Sequence, residues 1–521
     1  MKRDVLVLVV ISGVASAYGC TGGGDLVRLA EEPAGENCAE GGQVVLVGPD
    51  TDGDGELSDA EVASRGYVCN GAANTSLFRV IQAGEACMAD GVRVESGLDD
   101  DGDGTLDDDE VDGGSDVCLG DGTAIRVTNA AWGGVCTRGG VQVESGLDVD
   151  GDGELDDAEV SRTQYVCNLF LAQVSGGNYH SCGVVSDGSA WCWGQNDSGQ
   201  LGDGTTTDRA RITRVPGLAG VAHVSAGFDH SCAVLTDGTV WCWGLNDSGQ
   251  LGDATTTARR SPVQVDGLDG AAFVATGSEH SCAGMTDGTA RCWGGNAYGQ
   301  LGDGSRTQSL SPVVVDGLEG IEEIVANDYH NCARLGDGTA WCWGLNSYGE
   351  LGDGTAVDGL VPVEVVGLAG VTSVAAGVDA SCAVLGDGTA RCWGNNDNGQ
   401  LGDGTVTPSI EAVQVSGLAG ATAVTAGRNF ACALLGDGTV RCWGRGSGGQ
   451  LGDGTATERD APVEPLGLTS VASIAAGAYH VLTTRIDGSA MSWGRNPGGQ
   501  LGDGTNGDRH LPVPILQDLA L

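Results

Sequence analysis

Oxygen-bearing side chains recur at alternate positions in three short acidic segments of the N-terminal third of the chain. Residues 50–61, 99–110 and 148–159 each have a glycine at their sixth position and a glutamate at their twelfth. Alternate side chains on a tight loop can converge on one point, and calcium takes about six to eight hard oxygen ligands. Without an ion, the clustered carboxylates would repel one another. The pattern therefore predicts one calcium ion in each segment.

The spacing in these segments resembles the EF-hand calcium loop. The flanks differ from an EF-hand, because residues 92–95 and 141–144 alternate like strands rather than helices. We therefore expect about three structural Ca²⁺ ions rather than a pair of calcium sensors that open on binding. The predicted ligands are Asp50, Asp52, Asp54, Glu56, Ser58, Glu61, Asp99, Asp101, Asp103, Thr105, Asp107, Glu110, Asp148, Asp150, Asp152, Glu154, Asp156 and Glu159.

The 19 cysteines divide into nine pairs with one left over. A three-residue hairpin turn such as Thr236–Gly238 would place the cysteines on either side of it face to face, at a separation that a disulfide spans. Thiolate metal binding is the competing interpretation, but only two cysteines face each other in each unit. The predicted disulfides are Cys38–Cys69, Cys87–Cys118, Cys136–Cys167, Cys182–Cys192, Cys232–Cys242, Cys282–Cys292, Cys332–Cys342, Cys382–Cys392 and Cys432–Cys442.

The N-terminus has the features of an export signal. Lys2 and Arg3 precede a short apolar run at residues 5–14. Residues 17–20, Ala-Tyr-Gly-Cys, resemble the bacterial lipobox, which implies acylation of the remaining cysteine, Cys20. Cleavage after Ala17 by ordinary signal peptidase is the alternative. We expect a lipoprotein of the bacterial outer membrane or cell surface, or else a soluble secreted protein.

Residues 172–521 consist of seven units of 50 residues. Each unit contains a Trp-Gly pair and a version of the phrase Gly-Gln-Leu-Gly-Asp-Gly, and 92 of the 521 residues are glycine. Within a unit, four short apolar stretches are separated by Gly, Asp and Asn turns, as at residues 221–227, 232–235, 239–243 and 262–265. Four short strands in each repeat are typical of a propeller blade.

These units resemble the regulator of chromosome condensation repeat family, through the motif Ala-Gly-x-x-His-Ser-Cys-Ala-Val-Leu-x-Asp-Gly-Thr-Val-Trp-Cys-Trp-Gly. The resemblance implies a seven-bladed β-propeller, and it implies that the last strand, at about residues 511–516, pairs beside strands near 172–195 to close the ring. It does not imply a single function, because propellers of this family have several.

The fold class is therefore all-β, a seven-bladed β-propeller preceded by three small disulfide-bracketed calcium-loop modules. The expected domains are a signal peptide (1–19), a lipidated cysteine with a linker (20–34), the three modules (35–171, at about 35–70, 79–119 and 127–168) and the propeller (172–521).

No residue pattern indicates catalysis. Five histidines share one repeat position, but Ala380 and Phe430 replace them in two units, so we interpret them as buried residues that bond backbone. The aspartates of the repeated phrase, such as Asp203, are interpreted as turn formers, with calcium binding as a weaker alternative. The position equivalent to residue 191 holds Trp, Arg or Met in the seven units. We interpret these side chains as packing against a neighbouring blade rather than as contacts for a partner. We therefore expect a non-enzymatic protein with no catalytic residues.

The formal net charge of −46 disfavours nucleic acid as a partner, because nucleic-acid binding needs clustered Lys and Arg. We expect an exported, lipid-anchored scaffold that binds a protein or another envelope or extracellular ligand, and that contacts the membrane only through its anchor. The first alternative is an exported inhibitor or regulator of a partner enzyme. Guanine nucleotide exchange, by family analogy, is less favoured because the chain has features of export and no insertion in its repeats.

Overall fold

The computed structural model describes residues 169–515 throughout, together with strands between residues 9 and 167 whose bounds are given below. The chain divides into two compact units, residues 1–169 with 517–521, and residues 170–516.

The first unit contains eleven described strands, all in antiparallel pairings. A short pair comes first, followed by three three-stranded sheets in which the second strand is central. The strands are β1 (Val9–Ile11), β2 (Val14–Ser16), β3 (Asp25–Glu32), β4 (Gly42–Pro49), β5 (Ser64–Cys69), β6 (Ser76–Gln82), β7 (Gly91–Leu98), β8 (Val111–Cys118), β9 (Thr123–Ala130), β10 (Gly140–Leu147) and β11 (Val160–Cys167).

The sequence pattern marks only the central strand of the second and third of these sheets. The strand-like alternation at residues 92–95 and 141–144 lies in β7 and β10, as expected. The first strands were not anticipated: residues 25–32, assigned above to a linker, form β3, and β6 and β9 begin before residues 79 and 127. The module limits were drawn from cysteines and carboxylates, and these first strands carry no cysteine.

The second unit contains seven four-stranded antiparallel sheets, each formed by consecutive strands. We number these sheets blades one to seven. Their strands are β12 (Leu171–Gly176), β13 (His180–Val185), β14 (Ala190–Gly194) and β15 (Arg209–Arg214) in blade one; β16 (Val221–Ala226), β17 (His230–Leu235), β18 (Val240–Gly244) and β19 (Arg259–Gln264) in blade two; β20 (Ala271–Thr276), β21 (His280–Met285), β22 (Ala290–Gly294) and β23 (Ser309–Val314) in blade three; β24 (Ile321–Asn327), β25 (His330–Leu335), β26 (Ala340–Gly344) and β27 (Gly359–Glu364) in blade four; β28 (Val371–Ala376), β29 (Ala380–Leu385), β30 (Ala390–Gly394) and β31 (Ser409–Gln414) in blade five; β32 (Ala421–Ala426), β33 (Phe430–Leu435), β34 (Val440–Gly444) and β35 (Arg459–Val463) in blade six; and β36 (Val471–Ala476), β37 (His480–Arg485), β38 (Ala490–Gly494) and β39 (Arg509–Pro514) in blade seven.

The predicted seven-bladed all-β propeller is confirmed. The first strand of every blade lines a central cavity of about 720 Å³, so the blades surround a common axis. The second and third strands form the expected three-residue hairpin. In blade two, the Leu235 N–H donates to the Thr239 carbonyl at 2.9 Å, and Gly238 has a φ of +82°. Glycine adopts this left-handed conformation without the steric cost that other residues have.

The hydrophobic core lies between neighbouring blades. One cluster, for example, contains Cys182, Cys192 and Leu201 of blade one together with Val224 and Trp243 of blade two. A single sheet can bury its apolar face only against another element, so each blade depends on its neighbours.

The ring does not close by strand exchange, so that expectation is wrong. The last strand, β39, pairs with β38 of its own blade. Each 50-residue unit already contains four complete strands, and no strand is left over to pair with blade one. Blades seven and one instead join through bonds such as Trp193 Nε1 to the Gln500 carbonyl (2.9 Å) and Ala478 N to the Gly177 carbonyl (2.9 Å).

In the part of the chain that the structure describes, there is no helix long and apolar enough to cross a lipid bilayer.

Candidate functional site

The six disulfides predicted in blades one to six are all present. Each joins directly opposite residues of the second and third strands, with Cα atoms 4.0 or 4.1 Å apart. In blade seven, Leu482 faces Ser492 at the equivalent position. These buried, oxidised sulfurs are structural and cannot act as nucleophiles or thiolate ligands.

A tryptophan joins every blade to the blade before it. In all seven interfaces the buried indole Nε1 donates to the backbone carbonyl of the Gln or Glu in the preceding blade's Gly-Gln-Leu-Gly-Asp-Gly phrase, at 2.8–3.0 Å. This bond explains why the chain repeats the Trp-Gly pair and the Gln phrase together.

The histidines extend this junction, although not as predicted. The Gln200 carbonyl also accepts a bond from Ser231 Oγ at 2.9 Å, and Ser231 Oγ in turn lies 2.8 Å from His180 Nε2. Because the serine proton is donated to the carbonyl, His180 must donate its own Nε2 proton. The histidines are buried, as expected, but they bond a side chain of the next blade rather than backbone.

The two blades without this histidine lack its partner as well. Ala380 and Phe430 replace the histidine in blades five and six, and the residues that would be their partners are Ala431 and Val481. The remaining contacts are His230–Ser281, His280–Asn331, His330–Ser381 and His480–Ser181, at 2.7–2.9 Å. The histidine and its partner are thus absent together, which indicates that the role of the histidine is to bond the next blade.

Burial keeps these histidines uncharged. It lowers the pKa of His180, His230, His330 and His480 to about 3, and that of His280 to about 4. An imidazole that stays neutral and enclosed cannot serve as a general acid near neutral pH.

The aspartates of the repeated phrase organise the loops that contain them, as predicted. Asp203 accepts bonds from the Thr205 N–H at 2.8 Å and from Arg209 Nη2 at 3.0 Å. Burial alone would raise the pKa of Asp203, but the bonds from Thr205, Arg209 and Asn196 hold it below its usual value. The carboxylate is therefore already engaged by its own loop.

The residues at the position of Trp191 mainly pack. Trp191 is buried, and Trp241 and Trp341 are half-buried against the cores between blades. Arg441 forms an ion pair at 3.2 Å with Glu464, which follows the neighbouring strand β35. The preference for packing over partner contact at this position is consistent with these surroundings.

The propeller has two distinct faces. The loop face carries the turn between the first and second strands of each blade and the long loop between the third and fourth, residues 177–179 and 195–208 in blade one. The hairpin face carries the turn between the second and third strands and the link to the next blade, residues 186–189 and 215–220 in blade one. Backbone bonds such as Gln195 N to the Tyr179 carbonyl (2.8 Å) join neighbouring turns on the loop face.

All five tyrosines of the propeller lie on the loop face. They occupy two repeat positions, one in the turn after the first strand and one in the long loop. They are Tyr179, Tyr298, Tyr329, Tyr348 and Tyr479. Each is half-buried or exposed, and Tyr298 and Tyr329 of adjacent blades contact each other with ring centroids 5.2 Å apart. Tyrosine contributes a large rigid surface with a polar end and is enriched at binding hot spots.

Arginines surround one of these tyrosines. The Cζ atoms of Arg428 and Arg495 lie 5.9 and 5.2 Å from the ring centroid of Tyr479, which stacks on Tyr179 at 5.4 Å. Arg428 Nη1 also donates to the Tyr479 hydroxyl at 3.1 Å. We call these four residues the Arg–Tyr corner, and it lies on blades one, six and seven.

Carboxylates lie in the loop-face turns of the other blades, where Asp328 lines the central cavity. Asp229, Glu279, Asp328 and Asp379 stand on blades two to five, and we call them the acidic arc. Burial raises the pKa of Asp229, Asp328 and Asp379 above the usual value for aspartate. The loop face is therefore acidic at blades two to five and cationic at blades six and seven.

The walls of the cavity are the edges of the seven first strands. Side chains from neighbouring blades satisfy part of this exposed backbone: Gln173 accepts a bond from Val224 N at 2.9 Å and donates to the Val224 carbonyl at 3.1 Å. Glu323 similarly accepts from Val374 N at 3.3 Å. These contacts protect edges that would otherwise be free to pair with another chain.

The three predicted calcium segments, the predicted acylation site Cys20, and Cys38, Cys87 and Cys136 lie outside the described residues. The disulfides that would join Cys38, Cys87 and Cys136 to Cys69, Cys118 and Cys167, the last residues of β5, β8 and β11, therefore stay predictions. The second and third strands of each module flank the acidic segment, for example Pro49 before residues 50–61 and Ser64 after them. Among the described residues, no three or more His, Cys, Asp or Glu side chains are grouped as a metal site would require.

The loop-face cluster was not predicted from the sequence. Tyr179, Tyr329 and Tyr479 follow one another at multiples of the 50-residue unit, so aligning the repeats would have shown that they share a position. The contact of Tyr479 with Arg428 of blade six has no signal in the repeat pattern.

Models of two sequence families match the chain. The model described as regulator of chromosome condensation (RCC1) repeat matches residues 187–234, 237–283, 287–334, 337–384, 387–434 and 437–483, and a second model of the same description matches six stretches between residues 171 and 450. A domain of unknown function (DUF7151) matches residues 25–69, 76–118 and 123–167, the extents of the three-stranded sheets. No curated protein sequence matches the chain.

Solved structures show the same propeller fold. Human WBSCR16 is 24% identical, with 63% of this chain and 93% of that chain covered and a TM-score of 0.57. Yeast RCC1 (Prp20), solved with Kap60, is 21% identical, with 66% and 85% covered and a TM-score of 0.57. Prp20p from Saccharomyces cerevisiae, in a study of its binding to Gsp1p and histones, is 21% identical, with 67% and 87% covered and a TM-score of 0.57. The repeat matches extend over more than half of the sequence, and the chain belongs to the regulator of chromosome condensation (RCC1) repeat family.

Proposed function

We propose that this protein is an exported, lipid-anchored, non-enzymatic scaffold that binds a protein partner through the loop face of its propeller. The observation that carries the proposal is the placement of all five propeller tyrosines on that face, beside Arg428 and Arg495. Tyrosine and arginine are the residues that most often anchor protein interfaces. Protein binding is also the property named for the yeast relative, in its complex with Kap60 and in its binding to Gsp1p and histones.

The six blade disulfides support export. Disulfides persist in oxidising compartments and are rare in the cytosol, where thiols are kept reduced. An apolar N-terminal run followed by the lipobox-like residues 17–20 fits the same route, with Cys20 as the anchor. Replacing Cys20 with Ser should abolish incorporation of labelled palmitate and release the protein from membranes. Continued membrane retention of an unacylated Cys20→Ser protein would refute the lipid anchor.

Calcium is proposed to stiffen the three modules between the anchor and the propeller. The acidic segments connect antiparallel strands that pair up to the start of the loop, as Val47 does with Ser64. A bound ion would hold the clustered carboxylates of each connection together. Calorimetric titration of the calcium-free protein should show about three sites, and Glu61→Gln should remove one of them. Absence of binding at millimolar calcium would contradict this part of the proposal.

Partner binding is tested with a photo-crosslinking residue placed on either face of the full-length protein. At Tyr348, on the loop face, it should crosslink a protein from an envelope extract, and excess unlabelled protein should compete. At Thr236, in the hairpin of blade two, it should not. Crosslinks that form from Thr236 and not from Tyr348 would refute the assignment of the face. The same extract can be assayed for hydrolases that the protein inhibits, which would favour the alternative role as an enzyme inhibitor.

A further inference from the structure

Three arginines on the loop face of blades six and seven have no carboxylate partner among the described residues. Arg428 donates to the Tyr479 hydroxyl and Arg445 to Ser447 Oγ at 2.8 Å, and neither they nor Arg495 take part in an ion pair there. In a chain with 71 acidic and 25 basic residues, a carboxylate partner is easily supplied. Unpaired arginines at adjacent positions therefore call for an explanation.

Several other arginines of the propeller form ion pairs with nearby carboxylates. Arg209, Arg259, Arg459 and Arg509 bind the aspartates of the repeated phrase at 2.6–3.0 Å. Arg334 reaches Glu322 and Glu323, and Arg306 reaches Asp358 at 2.9 Å. These arginines are committed to the fold, whereas Arg428 and Arg495 form no ion pair among the described residues. The charge of Arg428 acts on Asp328 and Asp379 only at longer range, where it opposes the rise in their pKa.

Two of these three loop-face arginines are also held in place by tyrosine rings. Both Arg428 and Arg495 lie within 6 Å of the Tyr479 ring, and that ring is fixed in turn by stacking on Tyr179. Contact with an aromatic face orients a guanidinium group while leaving its N–H donors free. A pre-oriented pair loses less conformational entropy on binding than two free side chains would.

The guanidinium group matches the planar carboxylate and the phosphate group as a hydrogen-bonding partner. A polyanion such as nucleic acid or an acidic polysaccharide would be repelled by the adjacent acidic arc and by the net charge of −46. A protein partner that presents one carboxylate side chain flanked by basic residues would complement both the two arginines and the acidic arc. Charge complementarity therefore selects an Asp or Glu side chain flanked by Lys or Arg.

We infer that Arg428 and Arg495, oriented by Tyr479 and Tyr179, form a subsite for one carboxylate side chain of the protein partner, while the acidic arc receives basic residues next to it. This inference rests on the proposed function, because it assumes that a protein docks on the loop face.

The test is a selection of random peptides displayed on phage against the full-length protein. The wild type should enrich peptides that combine Asp or Glu with Lys or Arg. The double variant Arg428→Gln/Arg495→Gln should no longer enrich the acidic residue. The control Arg391→Gln/Arg441→Gln, which removes the same charge from third strands near the hairpin face, should keep the wild-type preference. Unchanged melting curves of both variants would show that they fold.

A selected peptide then provides the quantitative measurement. Replacing its Asp by Asn, or its Glu by Gln, should weaken binding to the wild type at least about tenfold, as expected for a charge-assisted hydrogen bond. The same replacement should change binding to Arg428→Gln/Arg495→Gln less than about twofold. Selection without acidic enrichment, or equal discrimination by the double variant, would overturn the inference. Crosslinking from Tyr348 would remain unaffected by that outcome, so the subsite could fail while the proposed function stands.

Discussion

The two faces of the propeller are built from the same repeat, but they differ in how much the repeat varies. On the hairpin face, every blade has an Asp-Gly turn whose aspartate accepts bonds from the N–H and hydroxyl of the Ser or Thr two residues on. On the loop face, the position of Tyr179 holds Asp, Glu, Tyr or Asn in the other blades. The hairpin face offers seven copies of one turn, and the loop face a single distinct surface.

The loop face can vary because its support lies beneath the variable side chains. Each long loop is held by backbone groups and buried residues, such as the Trp243 bond to the Gln200 carbonyl and the contacts of Asn246. The outward side chains therefore carry little of the folding free energy and are available for recognition. Substitutions should therefore change the free energy of unfolding most at the buried supports and least at the loop surface.

Removing the buried support of a loop should have the largest effect. Asn246 Nδ2 donates to Asp253 and to the Thr255 and Thr257 carbonyls, each at 3.1 Å, and its Oδ1 accepts from Leu251 N. We expect Asn246→Ala to lower the free energy of unfolding by about 2–4 kcal/mol, because buried partners lose their bonds. Guanidinium titration followed by tryptophan fluorescence measures this. The exposed neighbour provides the control, with Asp247→Ala changing stability by less than about 0.5 kcal/mol.

Glu350 is the exception within the repeated phrase, and it makes stability depend on pH. It is buried in place of a glutamine, its Oε2 accepts from Tyr348 N at 2.8 Å, and its Oε1 has no partner among the described residues. Burial raises its pKa to about 7, helped by Asp379 and Asp358, while bonds from backbone N–H groups oppose the rise.

Between pH 4.5 and about 7 the folded protein thus keeps a proton that the unfolded chain has lost, so stability falls as the pH rises through this window. Glu350→Gln should be more stable than the wild type by about 1–3 kcal/mol at pH 8 and equal to it near pH 4, in the same titration. A difference that does not change with pH would contradict the assignment of the proton to Glu350.

The hairpin face should respond to substitution in the same way in every blade. Gly238 and Gly388 have φ values of +82° and +78°, and a Cβ atom there would lie 3.0 and 2.9 Å from the backbone of Gly270 and Gly420. We expect Gly238→Ala and Gly388→Ala each to cost about 1–2 kcal/mol, with no effect on crosslinking from Tyr348. Unequal costs, or a loss of crosslinking, would mean that the hairpins are not equivalent.

Side chains on the surface of the loop face should matter least for folding. Tyr348 is 48% exposed, and Tyr348→Ala should change the free energy of unfolding by less than about 0.5 kcal/mol. A cost above about 1 kcal/mol in urea titration would place Tyr348 among the residues that support the loop.

The repeat pattern predicted the propeller and its disulfides because both follow from local spacing. The three-residue turn at Thr236–Gly238 sets the register that brings Cys232 opposite Cys242. The first strands of the N-terminal sheets and the closure of the ring were missed. Asp25–Glu32 carries no cysteine or calcium motif, and pairing of the last strand was inherited from family resemblance rather than from these residues.

The candidate site could be predicted only in part, because it depends on distances between blades. The identical spacing of Tyr179 and Tyr479 reveals a shared position, but their stacking arises because the ring brings blade seven beside blade one. The histidine junction was missed for the same reason: His180 and Ser231 are 51 residues apart, and periodicity alone does not show which neighbours touch.

Hydroxyl-radical footprinting of the full-length protein, with and without its crosslinked partner, tests the role of the loop face most directly. Binding through the loop face predicts reduced labelling of Tyr298, Tyr348 and Tyr479 in the complex, with labelling of the hairpin residues 233–241 unchanged. Protection of the hairpin residues, with the loop-face tyrosines labelled as in the free protein, would contradict it.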